Sequence, residues 1–260
     1  MRAYAQGIDT DAALKVALGT DFDQMQAGFD QTVERMFGTM RRALAVPEGV
    51  EDLLKLPAPA LKPIAEANPR SFPVQMALGA ALRKAGQADE AIQAFERAAA
   101  QVPLAGGPGS PHQQIAAIAL EKKDRARAIT ALTALVAVDF NNVEAARQLA
   151  DLLRQTGADD QAKLRPVYQR IAAIDPFDPE AHAMLGRYAL ERNEADHASR
   201  EFRAVIALGP VDKAAAYTDL GESYFKAGKR PEAKKQILAA LEIAPGYERA
   251  QGLLLKLVDR

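Results

Sequence analysis

The sequence predicts an all-α fold: a right-handed solenoid of about five helical hairpins, with an N-terminal helical arm and a C-terminal capping helix. Three observations carry this expectation. About one in five of the 260 residues is alanine, which suits closely packed helices, while aromatics are 6% and tryptophan is absent. A pattern of small and apolar residues recurs with a period of about 35 residues, the mark of stacked supersecondary units. The residues that close successive copies, Pro103, Phe140, Pro176, Pro210 and Pro245, are 37, 36, 34 and 35 residues apart.

Residues 1–46 form the arm. A short helix over 11–18 should stop at Gly19. Thr20 then precedes Phe22, Met25, Phe29, Val33, Met36, Phe37, Met40 and Leu44, an apolar stripe at helical spacing that ends at Val46-Pro47. So much apolar area on one helix must be covered, and we expect it to pack on the first hairpin rather than to self-associate. Residues 47–70 connect the arm to the array. Leu56-Pro57-Ala58-Pro59 interrupts regular structure before a helix over 60–68. Pro69 stands 34 residues before Pro103, so this helix reads as the second half of a degenerate half-repeat.

Residues 71–247 hold the five copies. The first runs from Ala77-Leu78-Gly79-Ala80-Ala81-Leu82 through Gly86, Ala91, Phe95 and Ala98 to Pro103. The second has Ile115-Ala116, Ala128, Leu132, Leu135 and Phe140. The third has Leu149-Ala150, Gly157, Tyr168, Ile171 and Pro176, with about two extra residues near Asp159-Asp160. The fourth reads Leu185-Gly186, Ala198, Phe202, Val205 and Pro210, and the fifth Leu220-Gly221, Tyr224, Gly228, Ala233, Ile237, Ala240 and Pro245. Small residues at Gly79, Ala116, Ala150, Gly186 and Gly221 would let the two helices of a hairpin approach closely. Each hairpin cannot cover its own apolar face, so stacking supplies the core. This pattern resembles the tetratricopeptide repeat (TPR), which implies a helical solenoid that binds proteins or peptides.

Ser110-Pro111 with Gln113 reads as a capping box, and Asp178-Pro179 as a second helix start. A helix pattern over 247–259 has no partner and should seal the array, giving a capping segment at 248–260.

Composition excludes several function classes. With 33 basic and 34 acidic residues the net charge is -1, so no general positive field attracts nucleic acid or an anionic membrane. The absence of cysteine removes disulfides, Cys-zinc sites and a thiol nucleophile, and leaves bacterial cytoplasm and periplasm equally open. No apolar run approaches a membrane span, and the first residues lack the apolar segment of a secretory signal.

Candidates for chemistry are few. His112 and His182 share a repeat offset that normally carries a bulky packed side chain, His197 reads as solvated, and none has a second ligand at metal spacing. Gly106-Gly107-Pro108-Gly109-Ser110-Pro111 superficially resembles a phosphate loop but lacks the lysine, and its prolines remove backbone donors. The four serines lie outside G-x-S-x-G, and the pairs Glu51-Asp52 and Asp159-Asp160 read as solvated turns. We therefore expect no enzyme activity, no catalytic residue, no metal and no cofactor.

The first-helix offsets that face outward remain as a candidate partner-binding strip: Arg83, Gln113, Leu120, Arg147, Asp151, Arg154, Arg187, Leu190, Glu222 and Phe225. Arginine forks suit carboxylates, while Leu120, Leu190 and Phe225 offer apolar contact. The expected partner is a protein or peptide segment with acidic and apolar residues, with homo-oligomerisation left open. The Lys and Asn set with which some TPR co-chaperones grip a C-terminal carboxylate is not reproduced. Ala12-Ala13-Leu14-Lys15-Val16-Ala17-Leu18-Gly19, followed by Phe22 and Phe29, resembles the closing helices of bacterial gluzincin-like peptidases that continue into C-terminal TPR arrays. That resemblance implies an alternative, the non-catalytic accessory region of a larger zinc-peptidase-like protein, and transfers no catalytic residue.

Overall fold

The structure, a computed structural model, describes residue 7 and residues 9–50, 52–156 and 161–258. Gly157, the Asp159-Asp160 pair, Glu51 and the last two residues of the capping segment lie outside the described residues. Among the described residues the regular structure is fourteen α-helices and one 3-10 turn, with no strand. This is the all-α class predicted from alanine content and repeat period. No helix among them is long and apolar enough to cross a membrane. The chain divides into two compact units, Met1–Ala105 with Gly109–Ile118, and Gly106–Pro108 with Ala119–Arg260.

The first unit begins with α1 (Thr10–Leu18), whose first-turn Ala12 N–H is capped by Asp9 at 2.8 Å and which ends at Gly19 with φ 68°. Helix α2 (Phe22–Leu44) starts with a capping box between Asp21 and Gln24. The expectation that the α2 stripe is buried on the first hairpin does not hold. Gly38 and Ala43 are buried, α2 meets α4, and the Ser71 hydroxyl donates to the Ala45 carbonyl at 3.3 Å. These anchors lie toward the C-terminal end of α2, and Phe22, Met25, Phe29, Met36 and Phe37 all remain exposed. After the turn at Leu53–Lys55 come α3 (Ala58–Ala67), which packs on α4 (Phe72–Lys84), and α5 (Ala88–Gln101), which closes the hairpin with α4.

Helix α6 (Pro111–Glu121) is shared between the units, changing from one to the other after Ile118. Its start corrects one expectation. The Gln113 side chain accepts from the Gly109 N–H at 2.6 Å, and the Ser110 hydroxyl is buried without a hydrogen-bond partner, so the capping box is not made.

The second unit continues as α7 (Arg125–Val138), α8 (Val143–Arg154), α9 (Gln161–Ile174), α10 (Pro179–Glu191), α11 (Ala195–Ala207), α12 (Lys213–Lys226), α13 (Arg230–Ile243) and α14 (Glu248–Val258). Each helix from α7 to α14 packs on the next, and α12 also meets α10 and α14. Leu132, Leu135, Tyr168, Ile171, Tyr188 and Phe202 are almost fully buried, and this burial of apolar surface supplies the main stabilisation. Ala250 and Leu253 of α14 join Ile237 and Ala240 in one buried cluster, so the last helix covers α13.

Hairpin geometry follows the small-residue positions. A Cβ on Gly186 would lie 2.7 Å from the Phe202 ring, one on Gly79 2.7 Å from the Phe95 ring, and one on Gly221 2.5 Å from Ile237. The turns within hairpins close with the N–H of the third residue beyond the helix donating five residues back, as Gln87 to Leu82 and Lys229 to Tyr224. Gly86 and Gly228 supply the left-handed residue there; Lys123 (φ 58°) and Asn193 (φ 59°) supply it in two copies that have no glycine at that point.

Candidate functional site

Within the first unit, Arg83 lies in the last turn of α4 and donates from Nη1 to Gln114 Oε1 at 2.8 Å. Gln113 is occupied with the Gly109 N–H. Neither side chain is an unengaged contact point.

Most of the strip belongs to the second unit. Arg147 of α8 donates from Nε and Nη2 to Asp178 Oδ2 at 3.0 and 2.8 Å, and from Nη2 to Asp175 Oδ2 at 2.8 Å. The hydrogen bond to Asp178 raises the Arg147 pKa despite some desolvation. Asp178 also caps α10 through the Ala181 N–H at 2.8 Å, so the helix start read from Asp178-Pro179 is present. Arg154 is 4.0 Å from Asp151 and reaches across to Glu180 of α10, which also accepts from the Tyr168 hydroxyl at 3.3 Å. Burial, with the Glu180 charge, pushes the Tyr168 phenol up to about 12. Glu222 of α12 accepts from Arg249 of α14 at 2.6 Å, and Arg249 also meets Asp219 at 2.5 Å. Burial pushes the Asp219 carboxyl upward against the pull of Arg249. Desolvation opposes the Arg249 charge too, but Glu222 and Asp219 outweigh it and raise its pKa.

The expected open positive strip is thus largely satisfied from within. Arg147, Arg154 and Arg249 bind carboxylates of the neighbouring hairpin, and Arg249 was not legible as a site residue because its helix lies beyond the repeat offsets. Arg187 is exposed on α10, with its guanidinium 3.9 Å from the Met184 sulfur. Leu190 is only 6% exposed and packs with Ala189, Ala198, Phe202 and Leu220, which removes it as an apolar contact for a partner. Leu120 is 38% exposed. Phe225 is half-buried with the Arg230 guanidinium 6.0 Å from its ring.

The histidines correct a second expectation. His197 is half-buried, not solvated: Glu201 lies 3.0 Å from its Nε2 and 2.7 Å from His182 Nδ1, while His182 Nε2 is 3.0 Å from the Pro176 carbonyl. Desolvation alone would lower the His182 pKa, but the Glu201 and Pro176 hydrogen bonds with the charges of Glu201 and Asp178 raise it. A raised folded value means that the bridge stabilises the fold fully below about pH 6.5 and loses that contribution as pH rises through the folded pKa. Thermal midpoints across this window should fall less with rising pH in His182→Gln than in the parent chain; identical pH slopes would show the bridge to be energetically silent. No three His, Cys, Asp or Glu among the described residues are placed to hold a metal ion. In the Gly106–Pro111 turn the Gly107 N–H donates to Asp139 Oδ2 at 3.2 Å, so this backbone donor is already used.

A family model described as a tetratricopeptide repeat matches residues 58–111 and 183–248. A search of curated proteins gives no match. Solved structures with similar folds include YrrB, "a TPR protein with an unusual peptide-binding site", at 18% identity and a TM-score of 0.45 over 75% of this chain and 97% of that one. MamA is 24% identical over 66% of this chain and 90% of its own, with a TM-score of 0.41. MamA from Desulfovibrio magneticus RS-1 is 16% identical over 76% and 98%, with a TM-score of 0.40.

Proposed function

We propose that the chain is a non-catalytic interaction scaffold that holds a peptide or partner-protein segment against the first-helix face of its second unit. Repeats of this type mediate protein–protein interaction, and one observation supports placing the contact here. The ion pairs of Arg147, Arg154 and Arg249 tie side chains of α8, α10, α12 and α14 in fixed positions. A surface held this way loses little side-chain freedom when it binds. Arg187, Asp151 and the exposed part of Arg154 offer charge, and Met184 and Phe225 offer apolar surface. An acidic segment with one or two apolar side chains suits that set. The division into arm (1–46), connector (47–70), repeats (71–247) and cap (248–260) belongs to the same proposal.

The test is a peptide selection on the parent chain followed by calorimetric titration of Arg187→Glu. Arg187 is exposed on its helix, so the reversal leaves the hairpin packing intact, whereas Arg147 is committed to Asp175 and Asp178. Selected peptides should bind the variant about tenfold more weakly and should lose affinity with added salt without losing binding altogether. Equal affinity for both chains would remove this face as the site. The alternative, an accessory region of a larger zinc-peptidase-like protein, rests on the 12–19 segment with Phe22 and Phe29. An in-frame peptidase domain upstream would establish it.

A further inference from the structure

We propose that α2 pairs antiparallel with α2 of a second copy of this chain. The stripe residues recur at 11-residue intervals, Phe22 to Val33 to Leu44, Met25 to Met36, and Phe29 to Met40. Eleven residues make three turns at 3.67 residues each, so the stripe stays on one face of a nearly straight helix. Phe22, Met25, Phe29, Met36, Phe37 and Leu44 are 42% to 65% exposed. With full side-chain areas of about 200 Å², they leave about 600 Å² of apolar surface uncovered on each chain. Covering both copies would bury about 1,200 Å², within the range of specific interfaces, and α2 offers a continuous length of 23 residues for it.

Charge selects the occupant and the direction. Asp23, Asp30 and Glu34 follow one edge of the stripe, and Arg41 continues the same edge at the far end, where it and Arg42 hold Glu34 at 2.7 and 2.6 Å within the single chain. A two-fold axis across the helix near Val33 brings that edge against itself in reverse. Phe22 then lies level with Leu44 of the second copy, Phe29 with Phe37, and Asp23 approaches Arg41, while Glu34 near the axis meets its own copy with its charge compensated by Arg41 and Arg42 of the same chain. A parallel pair would instead place both acidic ends at one level and both basic ends at the other, and would align the helix dipoles unfavourably. The helix carries three acidic and three basic residues, Asp23, Asp30 and Glu34 against Arg35, Arg41 and Arg42, so it lacks the cationic face that draws a helix onto an anionic lipid surface.

Sedimentation velocity of the full chain over a hundredfold concentration range tests this. The parent should form dimers. Phe29→Asp should weaken them about a hundredfold, with unchanged far-ultraviolet circular dichroism because Phe29 is exposed in the single chain. Asp23→Arg or Arg41→Asp alone should weaken them about tenfold, and the two together should return to within about threefold of the parent. A parent chain that stays monomeric, or dimers indifferent to Phe29→Asp, would overturn the proposal. Failure of the double reversal to recover would overturn the antiparallel pairing. A monomeric parent that co-sediments with phosphatidylcholine or phosphatidylglycerol vesicles would overturn it in favour of a lipid surface.

Discussion

Gly186→Leu should destabilise the second unit by about 3 kcal/mol, the upper range for overpacking of a closed core. Even the first added carbon would lie 2.7 Å from the ring of Phe202, and that ring is 1% exposed, so it cannot swing into solvent. Either α10 and α11 separate or Phe202 leaves its rotamer, and both changes uncover Ala198 and Leu220 in the same cluster. Urea unfolding followed by circular dichroism should show an earlier transition, and amide exchange should accelerate first in α10 and α11. Gly28→Ala is the contrasting substitution, because a Cβ there meets nothing within 4 Å and removes a glycine from a helix interior. It should be neutral or slightly stabilising. An unchanged midpoint in Gly186→Leu would refute the close crossing.

Arg249→Met should cost about 2 kcal/mol, less than a fully buried pair because the Arg249 side chain is 43% exposed. The loss comes from what stays behind. Asp219 is 7% exposed, and desolvation already opposes its charge, so without Arg249 it keeps a buried carboxylate with weakened compensation. Adding Asp219→Asn to Arg249→Met should recover more than half of the loss, since the uncompensated charge is then gone. If the double variant were no more stable than Arg249→Met, packing of the arginine stem would be the cause instead.

Hairpin pairing was legible because it depends on side-chain size. Gly79, Gly186 and Gly221 stand where rings or an isoleucine arrive, and no larger residue fits, so the pattern survives in a single sequence. Turn conformation was less legible: Lys123 and Asn193 adopt a left-handed geometry imposed by the helix ends rather than by glycine. The strip failed for a different reason. Helical offset tells which way Arg147 or Leu190 leaves its own helix, but its neighbours come from the next hairpin. Asp175 and Asp178 arrive there to pair with Arg147, and Leu220 arrives to cover Leu190. In the arm, periodicity marked the apolar face of α2 correctly and carried no information on what would meet it.

Asp178 serves two elements at once, holding the first turn of α10 through the Ala181 N–H and receiving the guanidinium of Arg147 from α8. One carboxylate therefore couples the fraying of one hairpin to the nucleation of the next. When α8 melts, the α10 cap loses the cation that orients it; when the cap opens, Arg147 loses the Asp178 oxygen that accepts from both its Nε and its Nη2. In an array stabilised by nearest-neighbour interfaces, such a shared group raises the free energy of placing a boundary between folded and melted hairpins at that point. Partial unfolding should then stop preferentially at junctions other than the one between α8 and α10, so that these hairpins open and close as a single cooperative block.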